Sequence, residues 1–232
     1  MTDRMPKPLV IAHRGESSRA LENSIEAFTR ALSLPVDMIE FDVRKSRDNS
    51  LYVMHDKETG RTAESNIDIE RALSDDIDRV RLKNGESIPR LTEVLSLVAG
   101  RVGLNIEIKS EGAGALTAAI IVGAGYQGHV IISSFKEQEV IEAKRVMPNV
   151  AVAGIFDAFS ISEVSSYWAR GYRIISLNRN AVSLDLISSL HSKNIGVYVW
   201  TVDKEEEAKK LISWGADGIY SNVPDMVMRV VG

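Results

Sequence analysis

Met38-Ile39-Glu40-Phe41-Asp42-Val43 reads as a β-strand, and the rest of the chain is organised around its two carboxylates. Residues two apart on a strand share a face. Glu40 and Asp42 therefore lie side by side, while Ile39, Phe41 and Val43 take the opposite face. Two carboxylates on a buried face repel each other and lose hydration. A divalent cation relieves both, and oxygen ligands favour magnesium, calcium or manganese over zinc. Pairing with Arg or Lys is the plainer alternative, and the ends of the neighbouring strands decide between them.

Outward from this strand the chain alternates regularly. Strand-like runs fall at 9–12, 37–43, 102–108, 130–133, 150–154, 174–177, 196–200 and 218–220. Helical spacing occupies 89–98, 115–123, 136–146, 162–169, 184–192, 204–214 and 224–231. A further helix follows Asn23-Ser24-Ile25-Glu26, read as an N-cap with a capping-box Glu, and ends before Pro35. Eight βα repeats in 232 residues indicate the α/β class and a (β/α)8 TIM barrel. An open doubly wound sheet is the runner-up, but no Gly-x-Gly-x-x-Gly follows a strand. An extended run, Leu51-Tyr52-Val53-Met54, leads into His55-Asp56. The polar stretch after it, about 57–88, reads as a small insertion after the second strand, with one weak helical pattern over 67–73.

Composition narrows the function classes. Net charge of −4 offers no basic face for nucleic acid or an anionic membrane. The absence of cysteine excludes disulfides, thiolate metal sites and a Cys nucleophile. The first eight residues are polar and lead into no apolar run of signal-peptide length. A single cytoplasmic domain spanning 1–232 is the expectation, with no stable membrane association. Its oligomeric state is not specified.

The chemistry-bearing residues recur at strand ends, the rim where barrels build their sites. His13 follows the first strand, and His55 follows the extended run after the second. In Asn105-Ile106-Glu107-Ile108-Lys109 the period of two puts Glu107 and Lys109 on one face. Closing the sheet brings Glu40, Asp42 and Glu107 together as ligands for one hard cation. His13 and His55 are then placed for proton transfer, and Arg14 and Lys109 for an anion. Trp200, at a strand end, reads either as core packing or as a wall against the alcohol moiety. Phe135 reads as packing, and His129 and His191 as structural. Glu22 and Asn23 read as no more than a helix start.

These segments resemble the glycerophosphodiester phosphodiesterase family over nearly the whole chain. The resemblance rests on His13-Arg14-Gly15, Glu22-Asn23-Ser24, Ile39-Glu40-Phe41-Asp42-Val43 and Val53-Met54-His55-Asp56. It continues through Ile88-Pro89-Arg90-Leu91, Ile106-Glu107-Ile108-Lys109, Ser133-Ser134-Phe135, Trp200-Thr201-Val202-Asp203 and Gly215-Ala216-Asp217-Gly218. It implies a TIM barrel and one magnesium or calcium ion on Glu40, Asp42 and Glu107. It also implies acid–base catalysis by His13 and His55, with Arg14 and Lys109 near the phosphate. The implied reaction is hydrolysis of a small-molecule glycerophosphodiester to an alcohol and sn-glycerol 3-phosphate, with His13 taking the proton from the nucleophile. The alternatives are a phosphodiesterase acting on phospholipid headgroups, a non-catalytic phosphodiester-binding barrel, and a metal-dependent barrel of enolising or amidohydrolase type. The chain departs from the family's usual residues at Leu21 (Pro), Ser24 (Thr) and Asp203 (Asn), and in having Glu16 after His-Arg-Gly. Glu16 and Asp203 are expected to add negative charge near the mouth.

Overall fold

The computed structural model describes residues 7–232. The first six residues of the polar start lie outside them. The strands are β1 (Leu9–His13), β2 (Met38–Lys45), β3 (Leu51–Val53), β4 (Gly103–Ile108), β5 (Val130–Ser134), β6 (Ala151–Phe156), β7 (Ile174–Asn178), β8 (Gly196–Trp200) and β9 (Gly218–Ser221). The helices are α1 (Ile25–Leu32), α2 (Ser74–Ile77), α3 (Leu91–Val98), α4 (Gly114–Gly123), α5 (Glu137–Val146), α6 (Val164–Ala169), α7 (Leu184–His191), α8 (Glu205–Ser213) and α9 (Pro224–Val231). Eight parallel strands run β1-β9-β8-β7-β6-β5-β4-β2, and pairing of β1 with β2 closes the ring. This is a (β/α)8 barrel. β3 lies outside the ring, antiparallel to the end of β2.

Strand alternation sorts the core into two compartments. In β4, Leu104, Ile106 and Ile108 face outward into the layer shared with the helices, among Val94, Val98, Ile121 and Val140. The other strand face lines the lumen, where Ile11, Met38, Ile131, Ala153, Tyr198 and Tyr220 form a separate apolar cluster. Gly218 is required there, because a Cβ would stand 2.9 Å from the Tyr198 ring. Above this plug the lumen turns polar, with Asn105 donating to Tyr220, and Ser133 Oγ donating to Asn105 Oδ1 at 2.7 Å.

Two local readings are corrected. The N-cap of α1 is Ser24, whose hydroxyl accepts from Ala27 N–H at 3.0 Å, and Glu26 pairs with Arg30 and closes no capping box. The free N–H groups of Ile25 and Glu26 donate instead to the Glu86 carboxylate, at 2.8 and 3.0 Å. An anion at a helix N-terminus is favoured by the exposed donors and the dipole. Residues 67–73 form no helix; the chain pairs Asp68 with Glu58 and turns, and the short α2 follows. Their apolar spacing has another cause. Ile69 is fully buried with Tyr52, Met54, Ile77 and Leu82 in a satellite core beneath the excursion.

Candidate active site

The carboxylates are placed by strand register. Glu40 stands opposite His13 across β1–β2, and Asp42 stands opposite Glu107 across β2–β4. Ligand-capable oxygens of Glu40, Asp42 and Glu107 lie within 4.8 Å of one another, and all three residues are buried. Among the described residues, Glu40 Oε1 is buried without a hydrogen-bond partner, and Asp42 Oδ1 makes no hydrogen bond but faces the Lys109 ammonium at 3.1 Å. Burial, then the neighbouring Asp42 and Glu107, pushes the Glu40 carboxyl well above its ordinary range. Burial and Asp42 push Glu107 up to about 7. Burial also opposes the charge on Asp42, but Lys109, Arg14, His55 and Asn23 outweigh it and hold that carboxyl low. Crowded carboxylate oxygens, one of them without any partner, with no thiolate donor among them, form a donor set that fits one hard divalent cation.

Two cations flank the cluster. Lys109 Nζ lies 3.1 Å from Asp42 Oδ1 and donates to Glu107. Arg14 Nε lies 3.3 Å from Asp42 Oδ2, its backbone N–H donates to Glu40 Oε2 at 2.9 Å, and Nη1 donates to Glu22 Oε1 at 2.8 Å. The turn holding Arg14 depends on Gly15, at φ +83°, where a Cβ would strike the Ala27 backbone at 2.7 Å. A β-carbon there is excluded both by conformation and by space.

Each histidine is held through Nδ1. His55 Nδ1 lies 2.6 Å from Asp56 Oδ1, and Asp56 in turn pairs with Arg61. Arg61 donates both terminal nitrogens to Glu22, at 2.8 and 2.7 Å, which links His55 to Arg14 through a chain of charges. His13 Nδ1 lies 2.8 Å from Asn222 Oδ1, and Nε2 faces Glu40 Oε2 at 3.8 Å. Burial and then Arg14 lower the His13 pKa to about 4, against Asn222, Asp42 and Asp203. Burial also lowers that of His55, with Lys109 and Arg14 adding to it and Asp42 and Asp56 opposing.

A cavity of about 110 Å³ joins these groups, with Arg14, His55, Glu107 and Lys109 on one side and Ile155, Ser176, Tyr220 and Trp200 on the other. All eight site residues read from the sequence line it or stand beside it. Phe135, read as packing, is 47 % exposed at the mouth and meets Trp200 edge-on at 5.8 Å. Asn23, read as a helix start, donates Nδ2 to Asp42 Oδ2 at 2.8 Å from a positive-φ backbone. Asn222, Asp56 and Arg61 carry no role in the sequence reading, although Asn222 directly follows a barrel strand and Asp56 directly follows His55. Glu16 pairs with a cation, whereas Asp203 brings the expected negative charge to the site, where it acts on His13. Glu16 is buried 3.3 Å from Arg19, and the Asp203 carboxylate accepts from Ser221 Oγ and from Asn222. A larger cavity of about 570 Å³ lies by the opposite ends of β8 and β9, where His191 is committed to Asp217 at 2.8 Å.

A sequence model described as the glycerophosphoryl diester phosphodiesterase family matches residues 13–226, and the chain belongs to that family. A glycerophosphodiester phosphodiesterase of Caldanaerobacter subterraneus subsp. tengcongensis is 29% identical over 242 residues, covering 97% of this chain and 98% of that one. Another, from Bacillus altitudinis, is 28% identical over 244 residues, covering 95% and 97%. An Oleispira antarctica phosphodiesterase, solved in complex with the product sn-glycerol-3-phosphate, superposes with a TM-score of 0.89 at 24% identity. That superposition covers 97% of this chain and 96% of the other.

Proposed function

We propose that this chain hydrolyses small-molecule glycerophosphodiesters to an alcohol and sn-glycerol 3-phosphate, using one magnesium or calcium ion and two histidines. The observation that carries the reading is the buried triad of Glu40, Asp42 and Glu107 at a cavity that His13 and His55 also line, with Glu40 Oε1 left without a partner. The names of the full-length relatives and the product held by the Oleispira protein support the choice of substrate.

Glu40, Asp42 and Glu107 would hold the cation, which supplies Lewis acidity and charge neutralisation toward a phosphate when bound. Arg14 and Lys109 supply positive charge for the phosphate oxygens. His13, half-buried and with its pKa lowered to about 4, takes the proton from the nucleophile through Nε2. His55 protonates the departing alcohol, and the Asp56 carboxylate at its Nδ1 stabilises the imidazolium that this role needs. Trp200 and Phe135 wall the alcohol side. Residues 57–88 act as an insertion within a single catalytic domain, with Arg61 as its contribution to the site. We place the reaction in the cytoplasm, without stable membrane association. No helix of the described residues is long and apolar enough to cross a membrane.

Product analysis with glycerophosphocholine and, separately, lysophosphatidylcholine micelles tests the substrate. Release of sn-glycerol 3-phosphate from the first is the expected result. Hydrolysis of the lipid alone would overturn the reading in favour of a headgroup phosphodiesterase.

A further inference from the structure

Groups on separate loops specify the tautomer of His13. Asn222, just past β9, has Nδ2 2.7 Å from Asp203 Oδ2 and its backbone N 2.8 Å from Asp203 Oδ1. A carboxylate only accepts hydrogen bonds, so the amide NH2 of Asn222 faces Asp203 and its Oδ1 faces His13 Nδ1, at 2.8 Å. Ser17 Oγ lies 2.7 Å from the same Oδ1 and 2.8 Å from the His13 carbonyl, two acceptors between which its proton is shared. An amide oxygen carries no proton, so Nδ1 of the neutral ring must carry it. Nε2 is then left with its lone pair, 3.8 Å from Glu40.

We propose that Asn222 and Asp203 are positioning residues that hold His13 in the Nδ1–H tautomer and present Nε2 as the proton acceptor. The inference rests on the reading of His13 as the base. Asp203 acts through Asn222, and the departure from the family's usual Asn at this position has a chemical consequence. The Asn222 backbone N–H cannot turn. An amide at position 203 must therefore keep its oxygen there and aim its NH2 at the Asn222 side chain. Asn222 then rotates its oxygen toward that NH2 and offers His13 a donor, which moves the ring proton to Nε2. A carboxylate at position 222 in the same background accepts from both neighbours. It restores the original tautomer at unchanged total charge.

The test compares the magnesium-loaded full chain with Asp203→Asn, Asn222→Ala and the double variant Asp203→Asn/Asn222→Asp. Steady-state kinetics with glycerophosphocholine are read beside the ring 15N shifts of His13, at about pH 8 and above the imidazole range. Asp203→Asn should lower kcat by about 10²-fold with KM little changed and show the proton on Nε2. The double variant should recover the Nδ1–H signature and most of kcat. Asn222→Ala, a variant independent of any refolding defect in Asp203→Asn, should show both tautomers. A retained Nδ1–H signature with wild-type kcat in Asp203→Asn, or a double variant that recovers neither, would overturn the proposal. The nitrogen signature is independent of turnover. A wild-type Nδ1–H signal without hydrolysis of glycerophosphocholine would therefore count against the substrate and for the hydrogen-bond chain.

Discussion

Asp42 on β2 stands in direct register with Glu107 on β4, so the barrel's own hydrogen bonding forces two buried carboxylates together. Lys109 bridges them, at 3.1 Å from Asp42 and in contact with Glu107. Lys109 and Arg14 together bring two positive charges to three carboxylates, and Glu107 remains pushed up to about 7.

That strain gives a pH signature in the metal-free protein. A carboxyl whose folded pKa is raised binds more protons folded than unfolded, so stability falls as pH rises between the two values. The two lowered histidines act in the opposite sense, so the Glu107 contribution is read as a difference. Metal-free wild type should lose stability relative to Glu107→Gln as pH rises from about 4.5, the ordinary carboxyl value, to about 7. Chemical denaturation of both proteins across that range measures it, and parallel curves would contradict it.

Either histidine should be dispensable for binding and essential for turnover. His13→Ala and His55→Ala are each expected to lower kcat about 10²- to 10⁴-fold, the usual weight of a positioned acid or base. Product affinity, measured by calorimetry, should change far less. An unchanged kcat in either variant would remove that residue from the mechanism.

The excursion reaches the chemistry through Arg61. Arg61→Ala frees Asp56 and Glu22, loosening His55 and Arg14 together. A fall in kcat of about 10-fold or more is expected, as for partners that orient reacting groups. Magnesium affinity should be retained, since Arg61 touches none of the three carboxylates proposed as ligands. Loss of metal binding without change in kcat would reverse that assignment.

Beneath the same excursion, Ile69 is completely buried against Ile77, Leu82 and Tyr52. Ile69→Ala should destabilise the protein by about 2–5 kcal/mol, the transfer and cavity cost of truncating a buried aliphatic. Denaturant unfolding reads this directly. A cost typical of an exposed site would show that the satellite core is not packed as described.

The barrel was legible because period-two alternation in 38–43 and 103–108 survives in any environment that buries one strand face against the helices. The same alternation exposed the carboxylate cluster, since Glu40, Asp42 and Glu107 interrupt a buried face where apolar residues are the rule. Residues 67–73 misled because Ile69 and Leu73 stand four apart, as on one helix face, whereas Ile69 is buried by a turn folding onto the satellite core and Leu73 stays exposed. Asn222 was invisible for another reason. It meets His13 across 209 positions of sequence, and only ring closure brings β9 beside β1. Arg61 likewise gains its role only when the loop carrying it folds back to Glu22, 39 positions earlier.

The central claim is that the triad holds a divalent cation on which phosphodiester hydrolysis depends. Release of sn-glycerol 3-phosphate from glycerophosphocholine is measured after EDTA treatment, then with magnesium or calcium restored, for wild type and Glu40→Ala. The account predicts release that stops with EDTA, returns with metal in the wild type, and does not return in Glu40→Ala. Undiminished release in EDTA, or full restoration in Glu40→Ala, would contradict it.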